Sequence, residues 1–306
     1  MNIREWTLPA YTILTQLSVG ALLVIWVIRA LNINEFGSEK TNQAVKIPVL
    51  ILFSTAIFAV IFAHFHLSKP YLSFLALRNI GSSWLSRELL ANLIYVTFFG
   101  LLLTSLLSIK PRNNIVSILG WLAILCGFIT EFCMSRIYLL PSQPAWDSLL
   151  TPISFLITTF LLGVLTVPVL FTMDLIFKKA QGQESAAINS QLIDRSLGKL
   201  ALLAVTLCLL VVASVYLQIA SLFSGNAAAQ TSLDLLLNIY QPLLILRLVF
   251  LFIGAGLLSF VAVRHHQRNL AAESLLLQVF ITCLLVLVAE ILGRFLFYAI
   301  HVRVGI

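Results

Sequence analysis

Long apolar runs separated by short polar segments make up most of this chain. A helix that crosses the hydrocarbon core of a membrane needs about 20 mostly apolar residues, and about eight runs reach that length. The predicted spans cover residues 8–31, 47–66, 88–109, 115–135, 149–177, 197–223, 236–263 and 274–300. The pattern therefore predicts an all-α fold, a polytopic bundle of transmembrane helices that forms one integral-membrane domain over residues 1–306.

Composition agrees with this prediction and excludes a soluble catalytic core. Hydrophobic residues are 60% of the 306 positions and charged residues are 10%, a balance that soluble domains do not have. The connecting segments are too short to bury a core of their own, so any soluble catalytic domain must come from a partner protein. The first run is too long for the apolar part of a signal peptide, and we expect it to remain as the first span.

Basic residues are unevenly divided between the two ends of the predicted helices, and cytoplasmic segments of membrane proteins are the ones rich in Lys and Arg. One end carries Arg29, Lys40, Lys46, Lys110, Arg112, Lys178, Lys179, Arg195, Lys199, Arg264 and Arg268. The other end, with both termini, carries Arg4, Lys69, Arg78, Arg87, Arg136 and Arg303. We expect both termini on the outer side of the membrane, opposite the cytoplasm. The same bias explains the net charge of +7 without a nucleic-acid partner.

Ionisable residues collect at the predicted outer ends of several spans. A charge at bilayer depth costs about 2.5–3.5 kcal/mol on insertion scales, so such residues indicate function. His64 and His66 end the second span, and Glu88 begins the third. Successive spans run in opposite directions, so each helix end can be assigned to one face of the membrane. This assignment places five more ionisable residues near the outer face: Glu131, Arg136, Arg247, Glu290 and Arg294. We therefore expect one polar cluster near the outer leaflet.

Within this cluster, Glu290 and Arg294 are spaced i to i+4 on one helix face. The spacing predicts that Arg294 neutralises Glu290, either to shape a binding cavity or only to hold helices in register. Asp174 and Lys178 have the same spacing at the inner end of the fifth span. We interpret that second pair as an interfacial ion pair.

Two outward segments are too polar to cross the membrane. Residues 69–87 mix apolar with basic and hydroxyl side chains, which suits a segment lying in the interface plane. Residues 136–147 contain two prolines and Trp146, which predict a rigid loop that is either a docking surface or an aromatic anchor. Residues 225–232 are predicted to be a flexible loop without chemistry of its own.

Quinol oxidation suits a histidine with a carboxylate near it at the membrane surface. The reaction releases protons together with electrons, so the protein must accept the protons and hold the two ring oxygens. A bound redox centre is not predicted on this chain. The histidines lack the placement that a bis-His haem needs, and the cysteines lack Cys-x-x-Cys spacing. The cysteines are Cys126, Cys133, Cys208 and Cys283, all within apolar runs.

In this order, the polar motifs resemble the membrane-anchor subunit of the anaerobic dimethyl sulfoxide reductase family. The resemblance covers nearly the whole sequence, and its most specific segments are 66–70, 83–88, 136–138, 144–146 with 151–152, and 290–298. It implies a haem-free anchor of eight helices that oxidises menaquinol near the periplasmic face. Electrons would pass to a four-cluster iron–sulfur subunit and onward to a molybdopterin catalytic subunit, both on the periplasmic side. The terminal electron acceptor stays open.

The resemblance also implies residue roles. By position, His66 corresponds to the family's quinol-site histidine and Glu88 to a site carboxylate, so we expect these two residues to be catalytic. Ser68 stands where the family commonly has glycine, which puts the geometry of the loop around His66 in doubt. The predicted quinol-binding residues are His64, His66, Arg78, Trp84, Glu88, Arg136, Glu290, Arg294 and Tyr298, and no metal ligands are predicted.

Two other classes of function use the same residues. A proton-coupled transporter for a small anion would use the buried His, Glu and Arg groups as its substrate site. A structural anchor would only tether a partner to the membrane. Binding of a quinol analogue separates quinol oxidation from both alternatives.

Overall fold

Eight helices in the described part of the chain are long and apolar enough to cross a membrane, which confirms the predicted architecture. The computed structural model describes residues 3–66, 70–183 and 185–304, without the side chains of residues 3–5, 66 and 70. The long helices are α1 (Ile3–Phe36), α2 (Ser38–His66), α3 (Trp84–Leu107), α4 (Asn113–Ile137), α5 (Leu150–Ala180), α6 (Ala186–Phe223), α8 (Gln241–Arg268) and α9 (Ala272–Ala299). A 3₁₀ helix, Pro70–Asn79, joins α2 to α3. A short helix α7 (Ala227–Asp234) and a π-helical turn, Leu235–Ile239, precede α8.

Helices α1 and α5 form the centre of the bundle. In these two helices 72% of the most apolar window is buried inside the protein, against 33–44% in the other six. They meet through Gly20 and Gly163, where a Cβ atom on Gly20 would lie 1.8 Å from the Thr159 carbonyl oxygen. Small residues allow helix backbones to approach closely in membranes, where apolar burial gives helices little reason to associate.

The helices run alternately up and down, so α1 begins at the end of the bundle where α9 finishes. Trp6 stacks on Phe295 at this end, with ring centroids 5.5 Å apart. We call it the upper end and the opposite one the lower end. The upper end holds the polar segments that the sequence assigned to the outer face.

The prediction of a flexible loop at residues 225–232 is wrong, because most of this segment belongs to helix α7. Asn226 caps this helix by accepting a hydrogen bond from the Ala229 amide at 3.0 Å. Asparagine is a preferred N-cap residue, and that signal was present in the sequence. The span predicted to start at residue 236 also starts later, at Gln241, because the π-helical turn interrupts it.

Arg29, counted among the loop residues of the inner end, is instead buried inside α1 with 2% of its surface exposed. Its guanidinium donates to Asn42 Oδ1 at 2.9 Å, to Ser117 Oγ at 3.0 Å and to Asn113 Oδ1 at 2.5 Å. These bonds tie α1 to α2 and α4 at the lower end. Arginine suits this position because its long apolar side chain can be buried while its planar guanidinium donates several hydrogen bonds in fixed directions.

The predicted ion pair of Asp174 and Lys178 is confirmed, with Lys178 Nζ 2.6 Å from Asp174 Oδ2. It does not face the membrane interface, because both side chains are buried between helices. Lys178 also donates to the Gln43 carbonyl at 2.8 Å, and Asn189 donates to Asp174 Oδ2 at 2.6 Å. The pair therefore connects α5 with α2 and α6.

Replacing Lys178 by methionine should destabilise the protein strongly. The change leaves Asp174 as a buried carboxylate without its cation. Removing one partner of a buried ion pair lowers the free energy of unfolding by about 3–5 kcal/mol. The measurement is the midpoint of thermal unfolding of the purified complex, followed by tryptophan fluorescence. The double variant Lys178→Met with Asp174→Leu should recover most of the loss. A double variant that unfolds at or below the midpoint of the single variant would contradict this explanation.

Candidate functional site

A buried hydrogen-bonded group lies one turn inside α3 at the upper end. Tyr11 Oη donates to Glu88 Oε1 at 2.8 Å, and Asn92 Nδ2 donates to Tyr11 Oη at 3.0 Å. Glu88 is 6% exposed. Ser83 starts α3 by accepting from the Ser86 amide at 3.4 Å, so the helix begins where it carries Glu88 inward. The structure thus places the predicted catalytic carboxylate against α1.

Tyr11 and Asn92 were missed in the sequence, because uncharged residues within an apolar run give no strong signal. The spacing of Glu88 and Asn92, i to i+4 on one face, could have identified Asn92. Nothing in the sequence pairs Tyr11 with Glu88, since the two residues are 77 positions apart.

Glu131 on α4 is buried, with 1% of its surface exposed. Neither carboxyl oxygen has a hydrogen-bond partner among the described residues. The charged groups that act on it electrostatically are Arg294 and Glu88. A buried polar group without a partner requires an explanation, and here the carboxyl is free to hold a proton or to accept a bond from a ligand or water.

A basic and aromatic wall lies beside Glu88. The guanidinium carbons of Arg87 and Arg136 lie 4.4 and 5.1 Å from the ring centroid of Trp84. Such cation–π contacts are stabilising when they are shielded from water. Arg87 also donates to the carbonyls of Ile80 and Gly81 at 2.9 and 2.7 Å, which holds the preceding loop against α3.

The 3₁₀ helix presents apolar side chains outward, as expected for a segment in the interface plane. Tyr71 is 70% exposed and Phe74 is 61% exposed. His64 donates through Nδ1 to the Val60 carbonyl at 2.8 Å, and its Nε2 lies 3.5 Å from Ser73 Oγ. Arg78 is exposed at the end of this helix. The side chain of His66 lies outside the described part of the protein, as do Ser68 and Lys69.

Glu290 belongs to a second group of residues, contributed by α5, α8 and α9. Thr158 Oγ1 donates to Glu290 Oε2 at 2.6 Å, and Arg247 Nη2 lies 3.6 Å from Glu290 Oε1. Gly293 makes room for Arg247, because a Cβ atom at Gly293 would lie 2.4 Å from the Arg247 guanidinium carbon.

The prediction that Arg294 neutralises Glu290 is therefore wrong, since the ion-pair partner is Arg247. Arg294 instead donates to Gln16 Oε1 at 2.7 Å and stacks over Phe155 at 3.8 Å. The spacing of i to i+4 permits a pair within one helix but does not require it. A cation on the neighbouring helix satisfies Glu290 in its place.

An aromatic layer closes the upper end above Arg294. Tyr138 and Tyr298 are joined through their hydroxyls at 2.6 Å. Trp146 Nε1 donates to the Phe297 carbonyl at 2.7 Å, and its ring stacks on His301 with centroids 4.7 Å apart. The proline-containing loop thus folds onto the end of α9.

The predicted single cluster is divided into two groups with separate bonding partners. We call Tyr11, Glu88, Asn92 and Glu131 the Glu88 group, and Thr158, Arg247 and Glu290 the Glu290 group. No hydrogen bond between described residues links the two directly, and Arg294 lies between them through its bond to α1. In the described residues there is also no set of three or more His, Cys, Asp or Glu side chains that could hold a metal ion.

Comparison with known proteins identifies the family. The sequence profile described as "DMSO reductase anchor subunit (DmsC)" matches residues 1–300. The chain belongs to the DMSO reductase anchor-subunit family. This confirms the resemblance seen in the sequence motifs. Together with its eight apolar helices, it makes this anchor subunit a multi-pass protein of the bacterial inner membrane.

Relatives of this anchor subunit match over nearly their full length. The C subunit of the anaerobic dimethyl sulfoxide reductase of Haemophilus influenzae is 29% identical over 307 residues, which cover 100% of this protein and 98% of the relative. Two anaerobic dimethyl sulfoxide reductase subunits of Escherichia coli are also similar, YnfH at 27% identity and the C subunit at 26%. Each match covers 99% of this protein and 96% of the relative.

Proposed function

We propose that this anchor subunit oxidises menaquinol at its upper end and passes the electrons to a partner subunit. The observation that carries the proposal is the Tyr11–Glu88–Asn92 group, a buried carboxylate held in place one turn below the interface segment. Proton acceptance from a quinol requires a positioned base within hydrogen-bond reach, and a carboxylate in an apolar wall supplies one.

Two acceptors are needed, because each quinol hydroxyl loses a proton as the ring is oxidised. Tyr11 donates to Glu88 Oε1, so Oε2 is the oxygen that would accept from one hydroxyl. His66, at the end of α2, would hydrogen-bond the other oxygen and take its proton. Both O–H bonds would break, and the two electrons would pass to a redox centre on the partner, for which an iron–sulfur cluster is the proposed acceptor.

The remaining predicted contacts surround this position. Trp84 and Arg136 form an aromatic and cationic wall beside Glu88, and His64 joins α2 to the 3₁₀ helix above it. Arg294 and Tyr298 lie toward the second group. We propose that these side chains orient the quinol head group, with Arg78 at its entrance, and that Glu290 acts from the adjoining group without contacting the quinol ring.

We also propose that the upper end faces the periplasm. The larger number of basic residues at the lower end supports this orientation. A four-cluster iron–sulfur subunit would then dock on the upper end and pass electrons to a molybdopterin subunit. The relatives' names, which identify them as parts of anaerobic dimethyl sulfoxide reductases, support a complex of this kind.

Binding of a fluorescent menaquinol analogue to the purified complex in lipid nanodiscs tests the proposal. We expect saturable binding to the wild-type complex and at least about tenfold weaker binding to the His66→Ala variant. The same variant should lose quinol-linked turnover, while a dye that reduces the partner subunits directly still supports turnover. Normal quinol-linked turnover in His66→Ala would refute this role.

The same preparation separates the alternatives. A tether or an anion transporter has no reason to bind a quinol analogue, so absence of binding would favour one of them. Uptake of a small anion into vesicles that contain this protein alone would favour the transporter.

A further inference from the structure

Two adjoining cavities lie in the upper half of the bundle, and neither has Glu88 or a residue of α1 in its wall. The first, of about 60 Å³, is enclosed by α5, α6, α8 and α9 and contains Arg247 and Glu290 in its wall. The second, of about 30 Å³, lies above it and extends to Ala145 and Ser148 in the loop before α5. The two share a wall formed by Ser154, Ser214, Gln218 and Phe297. They trace a path from Glu290 to the loop at the upper surface.

The lining of this path includes several polar side chains at a depth where polar groups are costly. Ser214 and Gln218 stand one turn apart on α6, in a span that is otherwise strongly apolar. Deeper in the path, Arg247 Nε and Glu290 Oε1 are buried and make no hydrogen bond to any described residue. Both atoms belong to residues that line the first cavity.

Water explains this arrangement better than an organic ligand does. A buried water needs about 10–15 Å³ and two to four polar partners. Both cavities exceed that volume and are lined by hydroxyl and amide groups, and the first also has guanidinium and carboxylate groups in its wall. An apolar cavity that binds benzene measures about 150 Å³, so cavities of about 60 and 30 Å³ are too small for a quinol ring.

We propose that Glu290 is a proton-exchange site that communicates with the upper aqueous phase through water in these two cavities. A proton passes from water to a Glu290 carboxylate oxygen and returns to water along the path past Gln218 and Ser214. No electron moves and no other bond changes. A second part of the proposal rests on the proposed function: one of the two protons released by quinol oxidation leaves the protein through Glu290.

The charged and titratable groups around Glu290 suit such a role. Arg247 on α8 lies 3.6 Å away and stabilises the carboxylate, while Arg294 stands one turn further along α9. Helix α6 contributes the Cys208 thiol, and α5 contributes the uncharged hydroxyl of Thr158. Arg247 and Thr158 hold the carboxylate in place, and Glu290 Oε1 remains without a hydrogen-bond partner among the described residues.

Infrared difference spectroscopy of the complex in nanodiscs tests the path directly. A carboxyl band that is absent in Glu290→Gln should shift rapidly when the complex is transferred to deuterated buffer. Gln218→Leu keeps nearly the same side-chain volume but removes the polar group between the cavities, so it should slow this exchange at least about tenfold. The control is Thr206→Leu, an exposed position on the same helix, where the exchange should match the wild type.

Two results would overturn the proposal. One is a set of exchanging carboxyl bands that is unchanged by Glu290→Gln. The other is wild-type exchange in Gln218→Leu, which would mean that the proton reaches Glu290 by a different route. Because Glu290→Gln leaves Arg247 unpaired, direct dye-driven turnover of the complex checks that each variant is assembled.

Quinol turnover separates this inference from the function on which its last part rests. If the wild-type complex fails to oxidise menaquinol, the proposed function fails and the exchange result stands by itself. If the wild type oxidises menaquinol and Glu290→Gln does so at the same rate, the exit role fails. We expect Glu290→Gln to lower quinol turnover about tenfold or more.

Discussion

Glu88→Gln is expected to lower quinol-driven electron flow by about 100-fold or more, which is the range that a lost general base produces. Glutamine has the shape of glutamate, and its carbonyl oxygen can still accept the 2.8 Å bond from Tyr11. It cannot take a proton from the quinol. The measurement is oxidation of a menaquinol analogue by membranes that contain the complex, compared with turnover driven by a dye that reduces the partner subunits directly.

Tyr11→Phe is the matched variant for this prediction. It removes the hydroxyl that positions Glu88 and accepts from Asn92, but it keeps the carboxylate. Losing one hydrogen bond to a charged group costs about 1.5–3 kcal/mol, so the expected loss of quinol-driven flow is smaller than in Glu88→Gln. Wild-type flow in Glu88→Gln, in membranes with a normal amount of complex, would exclude Glu88 as a proton acceptor.

Gly20→Ala is expected to destabilise the whole subunit, because the new methyl group has no space. Its Cβ would lie 1.8 Å from the Thr159 carbonyl oxygen, and the neighbouring Gly163 is in the same backbone contact. Backbone atoms of two packed helices cannot move aside as a flexible side chain can. Overpacking of this kind costs about 1–3 kcal/mol, and occasionally more.

The new methyl group in Gly20→Ala should push α1 away from α5, and this movement should also disturb the proposed quinol site. Gln16 on α1 donates to the Phe155 carbonyl at 2.9 Å and accepts from Arg294 at 2.7 Å. We therefore expect less complex in membranes, a lower unfolding midpoint and weaker quinol-driven flow in Gly20→Ala.

Gly256→Ala on α8 provides the control for this substitution. A Cβ atom there meets no other atom within 4 Å, and alanine is favoured over glycine in a helix by about 1 kcal/mol. Its unfolding midpoint should equal or exceed that of the wild type. If Gly20→Ala and Gly256→Ala have the same midpoint, close contact between α1 and α5 does not limit stability.

Several features of the site could be predicted and others could not. The positions of Glu88 at the start of α3 and of Asp174 one turn before Lys178 followed from helix boundaries and from spacing along one helix. The partners of Glu88 and Glu290 did not, because Tyr11 and Arg247 lie on other helices. The wrong pairing of Arg294 with Glu290 has the same origin, since spacing within one helix does not show contacts between helices.

The amino-acid sequence by itself determined that the protein crosses a membrane about eight times and that its ionisable residues lie near helix ends. Transfer of each apolar segment into a bilayer depends on local composition, so the segment can be recognised without its neighbours. Only the tertiary structure decided which helices lie at the centre, that the Glu88 group and the Glu290 group have separate partners, and that two adjoining cavities lie between Glu290 and the loop before α5. Helix packing in a membrane depends on close fit at a few small residues such as Gly20 and Gly163, and that fit depends on pairs of surfaces from separate helices.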